Sequence, residues 1–205
     1  MKKPIRIFLA DDHPSLRAGL AAILNSQPDL KVVAEAGSGR EVMASKEAAD
    51  VFIMDLRMPD GDGVQTIKAL VARDAAAKVL VLTTYDNEED IFQALEAGAR
   101  GYLLKDTTKE ELVAAVRQVH QGERYLPQNI ASRLADRVIR PNLTPRELDV
   151  LRLVSRGRTN KEMASAMFIS EETVKSHMKS LFQKLGVHDR AEAVSVSLQR
   201  GLIRL

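Results

Sequence analysis

Five short apolar runs punctuate the first part of the chain, at residues 5–10, 31–34, 51–54, 79–82 and 101–104. Runs of this length, bounded by turn-forming residues, predict strands buried on both faces. Between them the apolar spacing lengthens to a helical period. Leu16, Leu20, Ile23 and Leu24 share one face after Pro14. Val64, Ile67, Leu70 and Val71 make a second, Ile91, Ala94 and Leu95 a third, and Leu112, Val113, Val116 and Val119 a fourth. Residues 38–48 are the least amphipathic of these segments. Even so, Ser38 followed by Glu41 has the spacing of a capping box, and Thr108 with Glu111 repeats it. Gly98 and Gly122 stand where helices would end. Strand and helix alternating five times over residues 1–121 predict an α/β domain with an open, doubly wound, five-stranded parallel sheet, in the order 2-1-3-4-5.

From Thr144 onward the pattern is helical throughout. Thr144-Pro145-Arg146-Glu147 combines an N-cap, a proline at the first helical position and a capping-box glutamate. Leu148, Leu151 and Val154 continue that helix, and Gly157 ends it. Asn160 is the predicted cap of a second, short helix reaching Met167. Ser170 is the predicted cap of a third, reaching Leu185 and stopping at Gly186, and Asp189 of a fourth. Two helices joined by Phe168-Ile169-Ser170 predict a helix-turn-helix over about residues 160–185. Residues 143–205 thus read as a small all-α domain of four helices. Residues 122–142, punctuated by Gly122, Pro127 and Pro141, read as a linker. Ile130, Leu134, Val138 and Ile139 give that linker one short amphipathic helix.

Charge separates the two parts. Residues 1–122 carry 15 Lys/Arg against 19 Asp/Glu, a net −4, and residues 123–205 carry 15 against 9, a net +6. An acidic first part and a basic second part fit a nucleic-acid partner for the latter. The chain has no cysteine, which excludes a disulfide scaffold, a thiolate metal site and a cysteine nucleophile, and fits a reducing cytoplasm. No apolar run approaches the roughly 18 residues of a membrane span, so no membrane partner is expected.

The candidate chemistry sits at the ends of the predicted strands. Asp11 and Asp12 end the first, Asp55 the third, Thr83 the fourth, and Lys105 the fifth. Open parallel sheets bind ligands beyond the carboxyl ends of their strands, where the strand order reverses. The 2-1-3-4-5 order sets strands one and three side by side, so the three carboxylates converge. Such mutual repulsion is costly unless a cation compensates it or the carboxyl pKa values rise, and among cations a hard divalent ion with oxygen ligands, Mg²⁺, fits best. A lysine and a hydroxyl beside them make a place for a transferred phosphoryl group. Taken singly, each residue has an ordinary explanation as a turn, a cap or a solvated strand end. Their shared edge is the informative feature.

With these residues in place the chain resembles response regulators of the NarL/FixJ type, a flavodoxin-like receiver joined to a LuxR-type helix-turn-helix domain. The matching residues are Asp11-Asp12, Asp55 within the run from Met54 to Gly63, Thr83-Thr84, and Gly101-Tyr102-Leu103-Leu104-Lys105. In the second part they are Leu143-Thr144-Pro145-Arg146-Glu147, Asn160-Lys161-Glu162, Thr173-Val174-Lys175-Ser176-His177 and Lys184-Leu185-Gly186-Val187. The resemblance implies that Asp55 accepts a phosphoryl group from a sensor histidine kinase. It implies Mg²⁺ held by Asp12, Asp55 and the main-chain carbonyl of Arg57, with Asp11 acting mostly through water. Lys105 and Thr83 would contact the phosphoryl group. Tyr102 would be the aromatic switch that rotates inward as the threonine moves. One departure is Asp106 after the lysine, where many receivers have a cis proline.

On the predicted third helix Lys175 and Lys179 lie four apart, with Thr173 and Ser176 nearby and His177 at the border. Small polar and basic residues on an exposed second helix suit the major groove of double-stranded DNA. One such helix reads few base pairs, so an active homodimer on inverted half-sites is expected. Ala191, Val194 and Leu198 are the candidate dimer surface, against ordinary core packing. The resulting expectation is a cytoplasmic, phosphorylation-controlled transcription regulator, not an enzyme, that engages the transcription machinery. A phosphohydrolase with an aspartyl nucleophile would want an acid two residues after Asp55, where Arg57 stands. A receiver working unphosphorylated is the third reading, and the complete acidic set disfavours it.

Overall fold

The structure, a computed structural model, describes residues 3–59 and 61–203. Asp60, within the motif around Asp55, lies outside the described residues. The chain gathers into two compact units: one built from residues up to Asp86 with Asp90–Ser132, the other from Asn87–Glu89 with everything from Arg133.

The first unit runs β1 (Ile5–Ala10), α1 (Pro14–Asn25), β2 (Leu30–Ala36), α2 (Gly39–Ala44), β3 (Val51–Met54), β4 (Arg57–Met58), β5 (Gly61–Asp62), α3 (Gly63–Arg73), β6 (Val79–Thr83), α4 (Glu88–Glu96), β7 (Gly101–Leu104) and α5 (Lys109–His120). Five strands form a parallel sheet in the order β2-β1-β3-β6-β7. This is the expected order. The β4–β5 pair is a separate antiparallel bridge just past β3, too short for the sequence pattern to reveal. Apolar runs become buried strands because helices cover the sheet: Ile7, Leu9, Ile53, Leu80 and Leu103 are at most 1 % exposed. They join Leu24, Val116 and Val119 in one core. Phe8 and Phe52, register partners on β1 and β3, stack with ring centroids 5.5 Å apart.

Some local expectations need correction. The helix expected over 38–48 stops at Ala44, because Ser45 turns extended. Ser38 does cap it through the Glu41 N–H, but the Glu41 carboxylate accepts from Gly37 rather than from Ser38. Thr108 likewise caps α5, while Glu111 accepts from the Thr107 hydroxyl. Neither is a complete capping box. The first part of the segment read as a linker is ordered against the sheet: Tyr125 N–H donates to Arg100 O and Tyr125 O accepts from Tyr102 N–H. The following helix is α6 (Gln128–Ile139). Of its four apolar residues, Ile130 is buried and Val138 and Ile139 are 66 % and 83 % exposed.

The second unit continues with α7 (Pro145–Ser155), α8 (Asn160–Met167), α9 (Glu171–Leu185) and α10 (Arg190–Gln199). Its core joins Val150, Leu151, Met163, Val174, Leu181 and Ala193, all 0 % exposed. Thr144 and Glu147 make the predicted capping box. The cap of α8 is Thr159, not Asn160. Glu162 lies three residues after Thr159, so its carboxylate reaches back to the Thr159 N–H while Thr159 Oγ1 accepts from Glu162 N–H. Asn160 instead offers its side-chain oxygen to Arg190 at the start of α10. Ser170 and Asp189 cap α9 and α10 as expected, and Gly186 ends α9 at φ 72°, where a side chain would be strained.

Candidate functional site

The acidic cluster follows from strand register. Ala10 and Met54 are paired across β1 and β3, so Asp11 and Asp55, one residue further, emerge side by side. Ligand atoms of Asp11, Asp12, His13 and Asp55 all lie within 4.8 Å of one another. Asp11 and Asp55 are 2 % and 3 % exposed. Lys105 follows β7 and is held there by its main-chain N–H, which donates to Thr83 O at 2.8 Å. Its ammonium lies 2.7 Å from Asp11 Oδ2 and 2.6 Å from Asp55 Oδ2. Burial alone would lower the pKa of Lys105. The hydrogen bonds to the two carboxylates outweigh that, and the pKa is raised.

Backbone donors complete the frame. His13 N–H donates to Asp11 Oδ1 at 2.8 Å, and Arg57 N–H to Asp55 Oδ1 at 3.2 Å. The second bond fixes the loop that carries the expected Arg57 carbonyl ligand. Gly63 packs against that loop so closely that a Cβ would lie 2.7 Å from Asp55 O. Asp12 Oδ1 is shielded from solvent and makes no hydrogen bond, although His13 Nδ1 stands 2.8 Å away. An acceptor oxygen left in that state beside two more carboxylates is what an oxygen-coordinated cation would satisfy.

Thr83 ends β6 fully buried, and its hydroxyl has no hydrogen-bond partner. Tyr102 is already inward, 0 % exposed, donating its hydroxyl to Tyr85 O at 2.7 Å. Burial pushes the Tyr102 phenol well above its ordinary pKa, with nearby Asp90 adding to the rise. Every described peptide bond is trans, including Lys105–Asp106.

Sequence reasoning missed the partners of the Arg57 side chain. Its guanidinium bonds Asp90 Oδ2 at 2.5 Å and lies over the Tyr85 ring, 4.6 Å from the centroid. Asp90 is 3 % exposed. In the sequence it is the last of Glu88-Glu89-Asp90, an ordinary acidic first turn, and nothing local sets it apart.

In the helical unit the candidate DNA residues occupy the outer face of α9. Lys175, Ser176 and Lys179 are exposed, while Thr173 and His177 are half-buried. Val174, Met178, Leu181 and Leu185 fill the inner face. Thr173 is tied to the cap, its hydroxyl 2.8 Å from Ser170 Oγ. Lys175 pairs with Glu172 at 3.4 Å. Glu147 does more than close its capping box: its carboxylate also accepts from Ser180 at 2.6 Å and Lys184 at 2.8 Å, joining α7 to α9. Ser180 and Lys184 stand four apart on one face, a spacing that could have flagged this link. Burial pushes the Glu147 carboxyl up, but Lys184, Ser180 and the Thr144 N–H more than offset it and hold the pKa at about 2. Of the candidate dimer residues, Ala191 is exposed, while Val194 and Leu198 rest partly buried on their own unit's core.

Comparison with known proteins agrees with this geometry. Residues 7–117 match the response regulator receiver domain, and residues 141–197 match bacterial regulatory proteins of the luxR family. A nitrate/nitrite response regulator protein homolog of Haemophilus influenzae is 40% identical over 94% of this chain and 96% of its own. The crystal structure of the response regulator ChrA of a heme-sensing two-component system is 42% identical, covers 98% of this chain and 100% of its own, and superposes with a TM-score of 0.58. The two-component response regulator RcsB in complex with DNA is 27% identical, covers 96% of this chain and 99% of its own, and has a TM-score of 0.73. The chain belongs to the two-component response regulators that join a receiver domain to a LuxR-type DNA-binding domain, and it is a DNA-binding transcription regulator. No helix among the described residues is long and apolar enough to cross a membrane.

Proposed function

We propose that this regulator is switched by phosphorylation of Asp55. The observation that carries the reading is the convergence of Asp11, Asp12 and Asp55 with the Lys105 ammonium at one end of the sheet. A carboxylate oxygen of Asp55 attacks the phosphorus of a phosphohistidine on a sensor kinase. The phosphorus–nitrogen bond breaks, and its electron pair stays on the imidazole. Asp12, Asp55 and the Arg57 main-chain carbonyl would hold Mg²⁺, with Asp11 acting through water. Bound there, Mg²⁺ offsets the charge of the phosphoryl oxygens. Lys105 bonds one phosphoryl oxygen, and Thr83, whose hydroxyl is unpaired, takes another. Tyr102, on the neighbouring strand and already inward, would keep that position as Thr83 turns to the phosphoryl group.

In the active form two copies associate through Ala191, Val194 and Leu198 and read inverted half-sites in double-stranded DNA. The α9 residues Thr173, Lys175, Ser176, His177 and Lys179 face the groove, from which the dimer engages the transcription machinery in the cytoplasm. The residue ranges in this reading are a receiver over 1–121, a linker over 122–142 and the DNA-binding domain over 143–205.

Incubation with radiolabelled acetyl phosphate and Mg²⁺ tests the reading. Label should appear on the parent, vanish in Asp55→Asn and weaken in Asp12→Ala. Undiminished labelling of Asp55→Asn would overturn the assignment.

A further inference from the structure

Phe168, in the turn between α8 and α9, is the one non-glycine residue with a positive φ among the described residues, at φ 56° and ψ 44°. A Cβ is strained in this left-handed region, where glycine fits without a clash. The turn itself asks only for main chain. The Phe168 N–H donates to Ser165 O at 3.4 Å and the Ile169 N–H to Ala164 O at 3.0 Å, bonds that a glycine at 168 would leave intact. Nor does the side chain gain burial in return: it is 94 % exposed, more than any other large apolar residue described. A phenylalanine that burdens the fold twice, in backbone and in solvation, points to a contact outside the fold.

Phe168 lines a cleft of about 530 Å³ that it shares with α7 and the end of α8. Leu153, Met167 and Ile169 supply apolar lining, and Arg146, Arg152 and Arg156 of α7 supply exposed positive charge. Asp149, bonded to Arg152 at 3.3 Å, is the one acidic residue among those lining the cleft. The opposite side of α7, with Val150, Leu151 and Val154, packs with Val174 and Leu181 of α9 in the core. The arginines therefore point away from the α9 surface that carries Lys175 and Lys179. An aromatic anchor among arginines is the composition of a protein–protein hot spot. Three arginines against one aspartate select an acidic partner. A phosphate backbone would use the arginines and leave the phenylalanine bare. On the reading that the regulator engages the transcription machinery, we propose that this face is where it does so: an acidic segment of that machinery, bearing an apolar side chain, seats in the cleft against Phe168 while α9 stays on DNA.

The experiment titrates the host's RNA polymerase holoenzyme into labelled full-length regulator bound to a short DNA fragment that carries a selected site and no promoter. The parent complex should bind polymerase, and more weakly as salt rises. Phe168→Gly should bind polymerase about tenfold more weakly. Its melting temperature should be no lower than the parent's, because glycine suits the left-handed turn. Its affinity for the DNA fragment alone should match the parent's, since Phe168 precedes the α9 residues that face the duplex. Arg152→Ala and Arg156→Ala should each cause a smaller loss of polymerase binding with a shallower salt dependence. Polymerase binding by Phe168→Gly equal to the parent's overturns the proposal and leaves engagement of the machinery standing. A lower melting temperature overturns it in favour of a packing role for the ring. Altered affinity for DNA gives the face to the duplex or to the receiver, and altered self-association in sedimentation gives it to a second copy; either outcome overturns it. A parent that binds no polymerase overturns the reading that the regulator engages the machinery, and this proposal with it.

Discussion

The Lys105 ammonium bridges the carboxylates of Asp11 and Asp55, at 2.7 Å and 2.6 Å. It thus supplies in this structure the positive charge that Mg²⁺ would share with it. Two cations serving one set of carboxylates oppose each other, so removing the lysine should strengthen the metal site. Lys105→Ala is expected to bind Mg²⁺ more tightly than the parent and to show a larger rise in melting temperature on Mg²⁺ addition. Binding to the folded form at tenfold excess over Kd contributes about 1.4 kcal/mol, enough for the difference to be read by thermal melting. An equal or smaller rise in the variant would show that lysine and metal do not share these charges.

The Thr83 hydroxyl is buried without a partner, a state that costs stability in the resting form. Thr83→Val keeps the β-branched shape suited to a strand and removes the orphan oxygen. Its folding stability should equal or exceed the parent's, by up to about 1 kcal/mol, in urea unfolding. Its gain in DNA affinity on phosphorylation should fall, because the phosphoryl oxygen loses a donor. A clear loss of stability would mean that Thr83 has an unrecognised partner in the resting form.

Legibility differed by the range over which each feature is encoded. The sheet could be read because each strand is a local apolar run, and the acidic pocket because strand order turns local endings into one edge. Asp11, Asp55 and Lys105 met as that logic required. The cap of α8 was misread by one residue because Thr159 and Asn160 are both good caps. The glutamate spacing that decides between them, three residues from Thr159, was present in the chain. Tyr125 could not be read, since a single bridging residue has no period. Nor could the Arg57–Asp90 pair, which joins separate elements across 33 residues and follows only from the packed fold.

Glu147 gives the helical unit an acid limit. Its carboxyl sits at about 2 in the fold, against 4.5 for an unperturbed glutamate. A depressed carboxyl contributes stability that is fully present above the unfolded value and is lost as pH falls through the folded one. The parent should therefore lose stability between about pH 4.5 and pH 2. Glu147→Gln should lose less over that window while being weaker at neutral pH. The expected neutral-pH loss is roughly 2–4 kcal/mol, between that of a lost cap and that of a broken buried pair. Urea unfolding of both proteins at several pH values reads this directly. Parallel curves would place the acid sensitivity elsewhere.

The two recognition lysines should differ. Both project from the outer face of α9, but Lys175 is engaged by Glu172 at 3.4 Å, whereas no ion pair joins Lys179 to any described residue. DNA must first displace Glu172 from Lys175, and an exposed pair of this kind is worth only about 0.2–1 kcal/mol. That is small beside a base contact but enough to rank the two. Lys179→Ala should cost about 1–3 kcal/mol on a selected inverted-repeat site and little on unrelated DNA, the mark of direct readout. Lys175→Ala should cost less on the selected site and part of that on all sequences, with a shallower salt dependence, the mark of a phosphate contact. Glu172→Gln should raise affinity on every sequence, because it frees Lys175 and removes a negative charge facing phosphates. Titrations on both DNAs at two salt concentrations separate these outcomes. If both lysine variants bind the selected site as the parent does, the recognition surface is not on this face of α9.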